Sequence, residues 1–308
     1  MIREQSYISK FSVSEDGTLK LYSKQFVSRL TAAMDLDFAP VSYATLPAGS
    51  IFIIAGSPLI QNEAGQLTKD ATDEFIGLIV VSPETGEILK RVDLSPGSDI
   101  LMKTEFPLVS PSSITFDKQG NLYIADTGIG GYNFKDRFQG RPVIYRLEPR
   151  AVLDLLTGVP PVDVDITRIS SLPGDMSYDA ETDTVYFISN HIQGAPSGSV
   201  SKFESGNYRG LASQKTIVRG LVALNGLHLT PKGRVLLLAN TGEVLFPRGR
   251  KASRTIRIHP QVTFSTPGKI DIKRLPDGQL LVPVPEENSD AGLGKGQMVR
   301  VMRLPATY

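Results

Sequence analysis

Cysteine is absent from the 308 residues of this sequence. Its absence excludes disulfide bonds, thiolate nucleophiles and metal sites that depend on cysteine ligands. The N-terminal segment MIREQSYISK lacks the apolar core of a signal peptide. Long apolar runs are missing too, because no stretch approaches the roughly 18 residues that cross a bilayer. We therefore expect a cytoplasmic protein with no membrane partner.

An excess of either charge is missing as well, since 33 Lys and Arg residues balance 32 Asp and Glu residues to a formal net charge of +1. This balance gives no electrostatic reason to expect nucleic acid as a partner. Hydrophobic residues make up 41% of the chain and charged residues 21%, which is typical of a folded globular protein. No long segment repeats its apolar residues with the helical period of 3.6, so we expect little helix.

What the sequence does contain is a repeated hairpin pattern. Its clearest copy is PSSITFDKQGNLYIADTG at residues 111–128, in which alternating apolar residues precede a turn at Asp117–Gly120 and a short apolar strand follows. Similar copies stand at residues 41–57, 173–190, 224–242 and 267–285. Each copy is followed by a third strand pattern and some by a fourth, as at residues 85–94.

Four-stranded antiparallel sheets joined by turns rather than helices are typical of β-propeller blades. We predict one all-β domain that spans residues 1–308 and folds as a six-bladed β-propeller. Five hairpins are countable, and the N-terminal strands around Asp16 and Gly17 are expected to complete the ring with the C-terminal strands, since closure removes exposed sheet edges. Five blades with an additional N-terminal segment are the alternative.

The predicted connections differ in length between the two faces of such a propeller. Turns between strands 1 and 2 of a blade are short, as at Asp117–Gly120. Connections between strands 2 and 3 are long and lie on the other face, at residues 57–74, 127–141, 191–197, 241–253 and 285–296. Long loops on a rigid scaffold usually carry binding and catalysis, so we predict the functional surface at this face, around the channel mouth. The alternative is that these loops are tolerated insertions.

The side chains expected at the channel mouth are rich in oxygen. Carboxylate and amide oxygens suit a hard cation, so Asn225 and Asp175 are predicted to bind one divalent cation such as Ca²⁺, Mg²⁺ or Mn²⁺. His191 is a possible general base. The predicted catalytic residues are His191, Asp175 and Glu287, and the predicted substrate-binding residues are Asn190, Asn240, Tyr132, Arg137 and Lys269.

A structural role is the alternative for several of these residues. Asp126 and its counterpart Asn240 stand at strand ends, where a carboxylate or an amide can bind backbone N–H groups. Glu286 and Glu287 form an acidic pair that can simply be solvated. The nucleophile motif Gly-x-Ser-x-Gly and the zinc motif His-Glu-x-x-His are both absent, so no known motif fixes the chemistry.

Two of the hairpin copies resemble known families. Residues 111–128 resemble the NHL repeat, and LNGLHLTPKGRVLLLANTG at residues 224–242 resembles the senescence-marker-protein/gluconolactonase-like hydrolases. Both belong to a wider group of six-bladed propellers that includes the strictosidine-synthase-like enzymes. The resemblance implies a six-bladed fold and a small-molecule site at the channel mouth. It places Asn225 where those hydrolases have a metal-ligating Asn, while Gly174 precedes Asp175 where their second ligand has Gly after it.

The resemblance implies an enzyme that hydrolyses a small lactone or ester with the help of a cation. One alternative is a metal-free cyclase or lyase of the strictosidine-synthase-like type, in which Glu286, Glu287 or Asp175 handles protons. Another alternative is a non-catalytic binding scaffold of the NHL type. The expected partner is a small-molecule substrate, and the sequence does not define an oligomeric state.

Overall fold

The computed structural model describes seventeen parts of the chain, which are residues 6–30, 32–56, 59–61, 67–69, 75–95, 98, 108–128, 142–161, 163–191, 197–207, 214–221, 224–230, 232–239, 243–248, 251–257, 273–286 and 298–305. Contacts between residues divide the chain into two compact units. The first unit comprises Met1–Lys10, Ser23–Pro173 and Tyr208–Ala212, and the second comprises Phe11–Tyr22, Gly174–Asn207 and Ser213–Tyr308. The single domain over residues 1–308 stays a prediction.

The first unit contains two four-stranded antiparallel sheets. The strands of one are β3 (Ala33–Phe38), β4 (Ile51–Ala55), β7 (Gly77–Val81) and β8 (Ile88–Asp93). The strands of the other are β9 (Pro111–Phe116), β10 (Leu122–Asp126), β11 (Val143–Leu147) and β12 (Val164–Arg168). The first unit also contains a smaller hairpin of β5 (Leu59–Gln61) with β6 (Leu67–Lys69). The N-terminal hairpin of β1 (Ser6–Val13) with β2 (Leu19–Leu30) is divided between the units, because Phe11–Tyr22 belongs to the second.

The second unit contains two further four-stranded sheets and one three-stranded sheet. The first is built from β13 (Leu172–Asp179), β14 (Thr184–His191), β15 (Ser197–Glu204) and β16 (Lys215–Leu221). The next is built from β17 (Leu224–Leu229), β18 (Val235–Ala239), β19 (Glu243–Arg248) and β20 (Lys251–Arg257). The last is built from β21 (Lys273–Arg274), β22 (Leu280–Glu286) and β23 (Met298–Leu304).

Each four-stranded sheet is an up-and-down meander, which is the blade of a β-propeller, so the predicted all-β propeller class is confirmed. The predicted count of six blades needs correction. The described residues show four complete blades and a fifth sheet of three strands, and the N-terminal hairpin β1–β2 has only two. In this part of the chain β1 and β2 pair with each other and not with β21–β23, so ring closure by the terminal strands stays a prediction.

The first blade begins earlier than predicted. Its first strand is Ala33–Phe38, whereas the hairpin was predicted to start at Val41. Residues after the strand instead form a turn in which Tyr43 and Leu46 exchange backbone hydrogen bonds of 2.9 Å. Tyr43 is buried against Phe52, at a ring-centroid distance of 5.8 Å, and its hydroxyl donates to the carbonyl of Gly120. Apolar packing therefore holds this segment in the core as a turn rather than as a strand.

The predicted long connection at residues 241–253 is wrong. Strands β19 and β20 occupy most of it, which leaves residues 240–242 between β18 and β19. Val244, Leu245 and Phe246 are buried in the second unit, and this burial favours a strand over a loop. Residues Lys251–Arg257 form the fourth strand of this blade, β20.

One helix, α1 (Pro149–Thr157), is present in the described residues, although little helix was expected. It connects β11 to β12, at the same end of the sheet as the short turn after Asp117. Its buried residues are Ala151, Val152, Leu155 and Leu156, and a proline at the helix start and Gly158 at φ 79° bound it. The prediction that all long connections lie on one face is therefore wrong for this blade.

A single type of turn recurs in four of the described hairpins. In each, the first residue donates its N–H to the carbonyl of the fifth, and a glycine at the fourth position donates to the carbonyl of the first. The turns begin at Ser14, Asp117, Thr230 and Leu275. The glycines have φ between 67° and 87°, a conformation that an L-residue rarely adopts. The N-terminal hairpin therefore has the same type of turn as three of the blade hairpins.

The first strands of the first unit are joined by carboxylates. Asp35 on β3 is buried and accepts hydrogen bonds from the Ser113 hydroxyl and, at 3.0 Å, from the Ile114 N–H of β9. Asp37 accepts from the Thr115 hydroxyl at 3.0 Å and from the backbone N–H of Phe116 at 2.9 Å. Strand β9 lies at the edge of its sheet, so these carboxylates satisfy N–H groups of the edge that faces away from β10.

Removing the Asp35 carboxylate should destabilise the first unit. In Asp35→Asn an amide group faces donors that need an acceptor, and leaving one buried donor unpaired costs about 1–3 kcal/mol. Urea unfolding followed by circular dichroism measures this loss. Glu87→Gln, which changes an exposed carboxylate, should stay within about 0.5 kcal/mol of the parent. Equal effects of the two substitutions would contradict the role assigned to Asp35.

The tip of the N-terminal hairpin belongs to the second unit and packs against its three-stranded sheet. Gly17 has φ 78°, which strains any other residue, and a Cβ added there would lie 2.8 Å from Leu275 Cδ1, so the leucine side chain would have to shift. The Arg303 guanidinium donates a hydrogen bond to the carbonyl of Asp16. The Asp16 carboxylate accepts hydrogen bonds from the Ser14 hydroxyl at 2.6 Å and from the N–H and hydroxyl of Thr18, both at 2.9 Å.

These hydrogen bonds, that from Ser14 first, lower the pKa of Asp16 from 3.8 to about 2. A depressed carboxylate pKa stabilises the folded state above the unfolded value and loses that contribution as the pH falls. The stability difference between the parent and Asp16→Asn should therefore be constant above pH 3.8 and shrink towards pH 2. Unfolding curves across this range measure it, and Glu15→Gln serves as the neighbouring control. A difference independent of pH would contradict the assignment.

Candidate functional site

Three first strands carry a β-bulge near their start. The extra residue of the bulge is Met34 on β3, Ser112 on β9 and Asn225 on β17. A bulge re-aims one side chain out of the regular alternation of a strand, and bulges are frequent beside binding sites. The three positions are equivalent in the repeat, so differences among their side chains point to differences in role.

Asn225 differs from its two counterparts. On β17, Leu224 pairs with Ala239 and Gly226 with Leu238, so Asn225 has no partner residue on β18. Its side-chain nitrogen Nδ2 is buried and has no hydrogen-bond partner among the described residues. The counterpart Ser112, in contrast, donates its hydroxyl to the carbonyl of Pro173 at 2.9 Å.

A buried polar atom without a partner is costly to the fold, and its presence calls for an explanation. Atoms of the same kind occur in the described residues at Ser98, Arg146 and Gln214, but none of these residues lies on the first strand of a sheet. Among the described first strands, Asn225 is therefore the residue whose side-chain nitrogen is buried without a hydrogen bond to the fold.

Asp175 lies on β13 and is buried, with 6% of its surface exposed. One of its oxygens accepts a hydrogen bond of 2.7 Å from the N–H of Leu227 on β17. This bond is equivalent to that from Ile114 to Asp35 in the first unit, because in both cases a carboxylate binds an N–H group of the next first strand. Asp175 thus has a structural partner that the sequence did not reveal, and its catalytic and metal-binding roles stay predictions.

Asn190, near the end of β14, also binds the backbone of β17. Its Nδ2 donates to the carbonyl of Leu224 at 2.9 Å, and its Oδ1 accepts from the N–H of Leu224 at 3.1 Å. Substrate binding was predicted for this residue, and that role remains a prediction. The paired bonds use both ends of the amide to hold the residue that precedes Asn225.

His191 is the last residue of β14 and pairs with Ser197 across the connection to β15. Glu286 ends β22 opposite Met298. The remaining predicted site residues lie outside the described part of the chain: Asn240, Tyr132, Arg137, Lys269 and Glu287. The structure thus brings together three of the predicted residues, Asp175, Asn190 and Asn225, around the start of β17.

Asp126 binds backbone N–H groups, which was the structural role considered for it. It is 1% exposed and accepts hydrogen bonds from the N–H groups of Val109 at 2.6 Å, Gly128 at 2.7 Å and Ser110 at 3.0 Å. A carboxylate with three backbone donors fixes the entry and the exit of its hairpin.

Sequence reasoning missed Asp35 and Asp37, because the first strand was placed after them. The signal was present as the alternation Asp-Leu-Asp-Phe at residues 35–38, which is typical of a half-buried strand. Neither residue was considered for the channel mouth, although Asp35 corresponds in its bonding to Asp175.

The described residues contain no group of three or more His, Asp and Glu side chains that could hold a metal ion. A cation bound there would therefore need amide, carbonyl or water oxygens beside any carboxylate. The helix in the described residues is too short to cross a membrane.

No protein-family model and no curated protein matches the chain. Among solved structures it is similar to a luciferin-regenerating enzyme, with 8% identity, a TM-score of 0.49, and coverage of 90% of this chain and 92% of that one. A putative glucose dehydrogenase from Thermus thermophilus has 16% identity, a TM-score of 0.48, and coverage of 93% and 89%. A gluconolactonase from Xanthomonas campestris has 12% identity, a TM-score of 0.45, and coverage of 82% and 83%.

The sequence identities and the TM-scores are too low for any of the three proteins to define the activity of this chain. What the chain does must therefore be argued from its own residues. Those that matter most are at the start of β17.

Replacing Asp126 should destabilise the fold without altering the surroundings of Asn225. Asp126→Asn puts an amide group among three backbone donors, and we expect a loss of about 1–3 kcal/mol. Urea unfolding measures the loss, with Asp163→Asn as a control at an exposed carboxylate. A stability equal to that of the control would show that the three hydrogen bonds contribute nothing.

Proposed function

We propose that this protein is a small-molecule hydrolase that cleaves a lactone or an ester, with Asn225 at the centre of its site. The observation that supports the proposal is the side-chain nitrogen Nδ2 of Asn225, which is buried on a bulge at the start of a first strand and has no hydrogen-bond partner among the described residues. In the same repeat the equivalent polar residue, Ser112, is bound to backbone. An N–H donor left out of the fold in this way is available to an acceptor oxygen of a ligand, such as the carbonyl of an ester or a lactone.

The residues that would hold a divalent cation are Asn225 and Asp175. Their amide and carboxylate oxygens are the donors that Ca²⁺, Mg²⁺ and Mn²⁺ prefer, and water and the substrate would supply the other ligands. A cation there would polarise the carbonyl of the ester or lactone and lower the pKa of a bound water. Asp175 would keep its hydrogen bond to Leu227 and so fix the carboxylate relative to β17.

Proton transfer in this proposal falls to His191. An imidazole titrates near neutral pH, so it can accept a proton from the attacking water and return it to the leaving alcohol. His191 directly follows Asn190, whose side chain binds Leu224 at the start of the same strand that carries Asn225. Asn240, Tyr132, Arg137 and Lys269 would contact the substrate, and Glu287 is a further proton-transfer residue.

The experiment is a hydrolysis screen of the full chain against γ- and δ-lactones and aryl esters, with Ca²⁺, Mg²⁺, Mn²⁺ or a chelator. Hydrolysis should require a cation and should fall about 10²-fold in Asn225→Leu, the loss typical when one group that stabilises transition-state charge is removed. Gln279→Leu, an amide replaced in a turn, is the matched control and should keep full activity.

Other outcomes would assign the alternatives. Hydrolysis that Asn225→Leu leaves unchanged would contradict the proposed site. Turnover that is insensitive to chelator and makes or breaks a carbon bond without water would indicate the metal-free cyclase or lyase. Absence of turnover, together with binding of a peptide ligand, would indicate the non-catalytic scaffold.

A further inference from the structure

Two side chains of one sheet hold the backbone on either side of Asn225. Asn190 binds both backbone groups of Leu224, one residue before it, and Asp175 binds the N–H of Leu227, two residues after it. Both leucines are buried, with 1% and 0% of their surface exposed. The bulge that presents Asn225 is therefore anchored at its two ends by side chains from the neighbouring sheet.

The bonds of Asp175 and Asn190 to β17 differ in whether the other blades have an equivalent. The bond from the Leu227 N–H to Asp175 has an equivalent in the first unit, the bond from the Ile114 N–H to Asp35, so it belongs to the repeat and serves the fold. The amide pair of Asn190 has no such counterpart there, because Asp126 at the equivalent strand end binds Val109, Ser110 and Gly128 around its own hairpin. The strand start at Asn225 thus differs from the others in the two hydrogen bonds between the Asn190 side chain and the Leu224 backbone.

The geometry restricts how the bulge can move. At a bulge, one residue makes no regular hydrogen bonds to the partner strand. The neighbouring peptide group can therefore change its orientation unless other groups bind it. Asn190 binds the N–H and the C=O of one residue at once, and this paired bond fixes the position of Leu224 along the strand and its orientation. Because Asn225 directly follows Leu224, the position of Leu224 sets the direction in which the Asn225 side chain leaves the backbone.

We infer that Asn190 is a positioning residue, which orients the Asn225 carboxamide through Leu224 rather than by touching the substrate itself. The inference rests on the proposed function for its catalytic consequence. Its structural part, the coupling of Asn190 to the Asn225 side chain, stands independently of any activity.

The test compares Asn190→Leu with Asp126→Asn in the full chain. Both substitutions remove side-chain bonds to backbone at the end of a second strand, but only the first removes bonds to the residue beside Asn225. The first readout is the side-chain NH₂ resonance of Asn225 in protein labelled with ¹⁵N-asparagine, assigned by its loss in Asn225→Leu. The second readout is the pair kcat and KM for the lactone or ester that the parent hydrolyses.

Positioning predicts that the Asn225 resonance shifts or broadens in Asn190→Leu and keeps its place in Asp126→Asn. It also predicts that kcat falls about tenfold to a hundredfold in Asn190→Leu, as is typical for residues behind a functional ligand, with KM changed less. Direct substrate binding by Asn190 would instead raise KM and leave the Asn225 resonance in place, and this result would overturn the inference.

The two proposals fail separately. If Asn190→Leu loses stability like Asp126→Asn while the Asn225 resonance and kcat stay unchanged, Asn190 is only structural and the inference is wrong. If the parent hydrolyses none of the compounds, the proposed function fails, and a shifted Asn225 resonance in Asn190→Leu still supports the coupling between the two asparagines.

Discussion

The blades that begin with β9 and β17 depend on carboxylates that satisfy backbone groups at the open edge of their first strands. Such a strand pairs with the second strand on one side only, and its N–H groups on the other side need acceptors if they are buried. Carboxylates on the preceding first strand provide them, from Asp35 to Ile114 in the first unit and from Asp175 to Leu227 in the second. These bonds tie neighbouring blades together where no strand pairing does.

This constraint also separates structural from functional side chains. Most polar residues near the strand starts and ends are bound to backbone, as Asp126, Asn190 and Ser112 are. Asn225 stands among them with its amide nitrogen buried and unpartnered in the described residues. The candidate site is thus identified by the polar side chain that makes no hydrogen bond to the fold. A list of polar residues alone does not distinguish that side chain from the others.

The sequence predicts most of the secondary structure of the blades, because the alternation of apolar residues and the turn glycines are local signals. The hairpin at 111–128 is found where it was predicted, and the strand pattern at residues 85–94 contains β8, Ile88–Asp93. The first strand, Ala33–Phe38, was missed because a long turn separates it from its partner, and α1 was missed because nine residues hold too few helical periods to stand out. Asp175 and Asn190 were predicted as site residues from their places in the strands, but their bonds to β17 are long-range contacts between sheets, which no local pattern shows.

Hydrogen exchange of individual backbone amides tests the central claim most directly. The amide hydrogens of Ile114, Phe116 and Leu227 point away from the second strand of their own blade and are bound by Asp35, Asp37 and Asp175. Exchange measured by NMR in the native state should show these three protected to the same degree as amides inside the strand ladders. Rapid exchange of the three amides, with the ladders still protected, would show that carboxylates do not hold the open edges and would contradict the account.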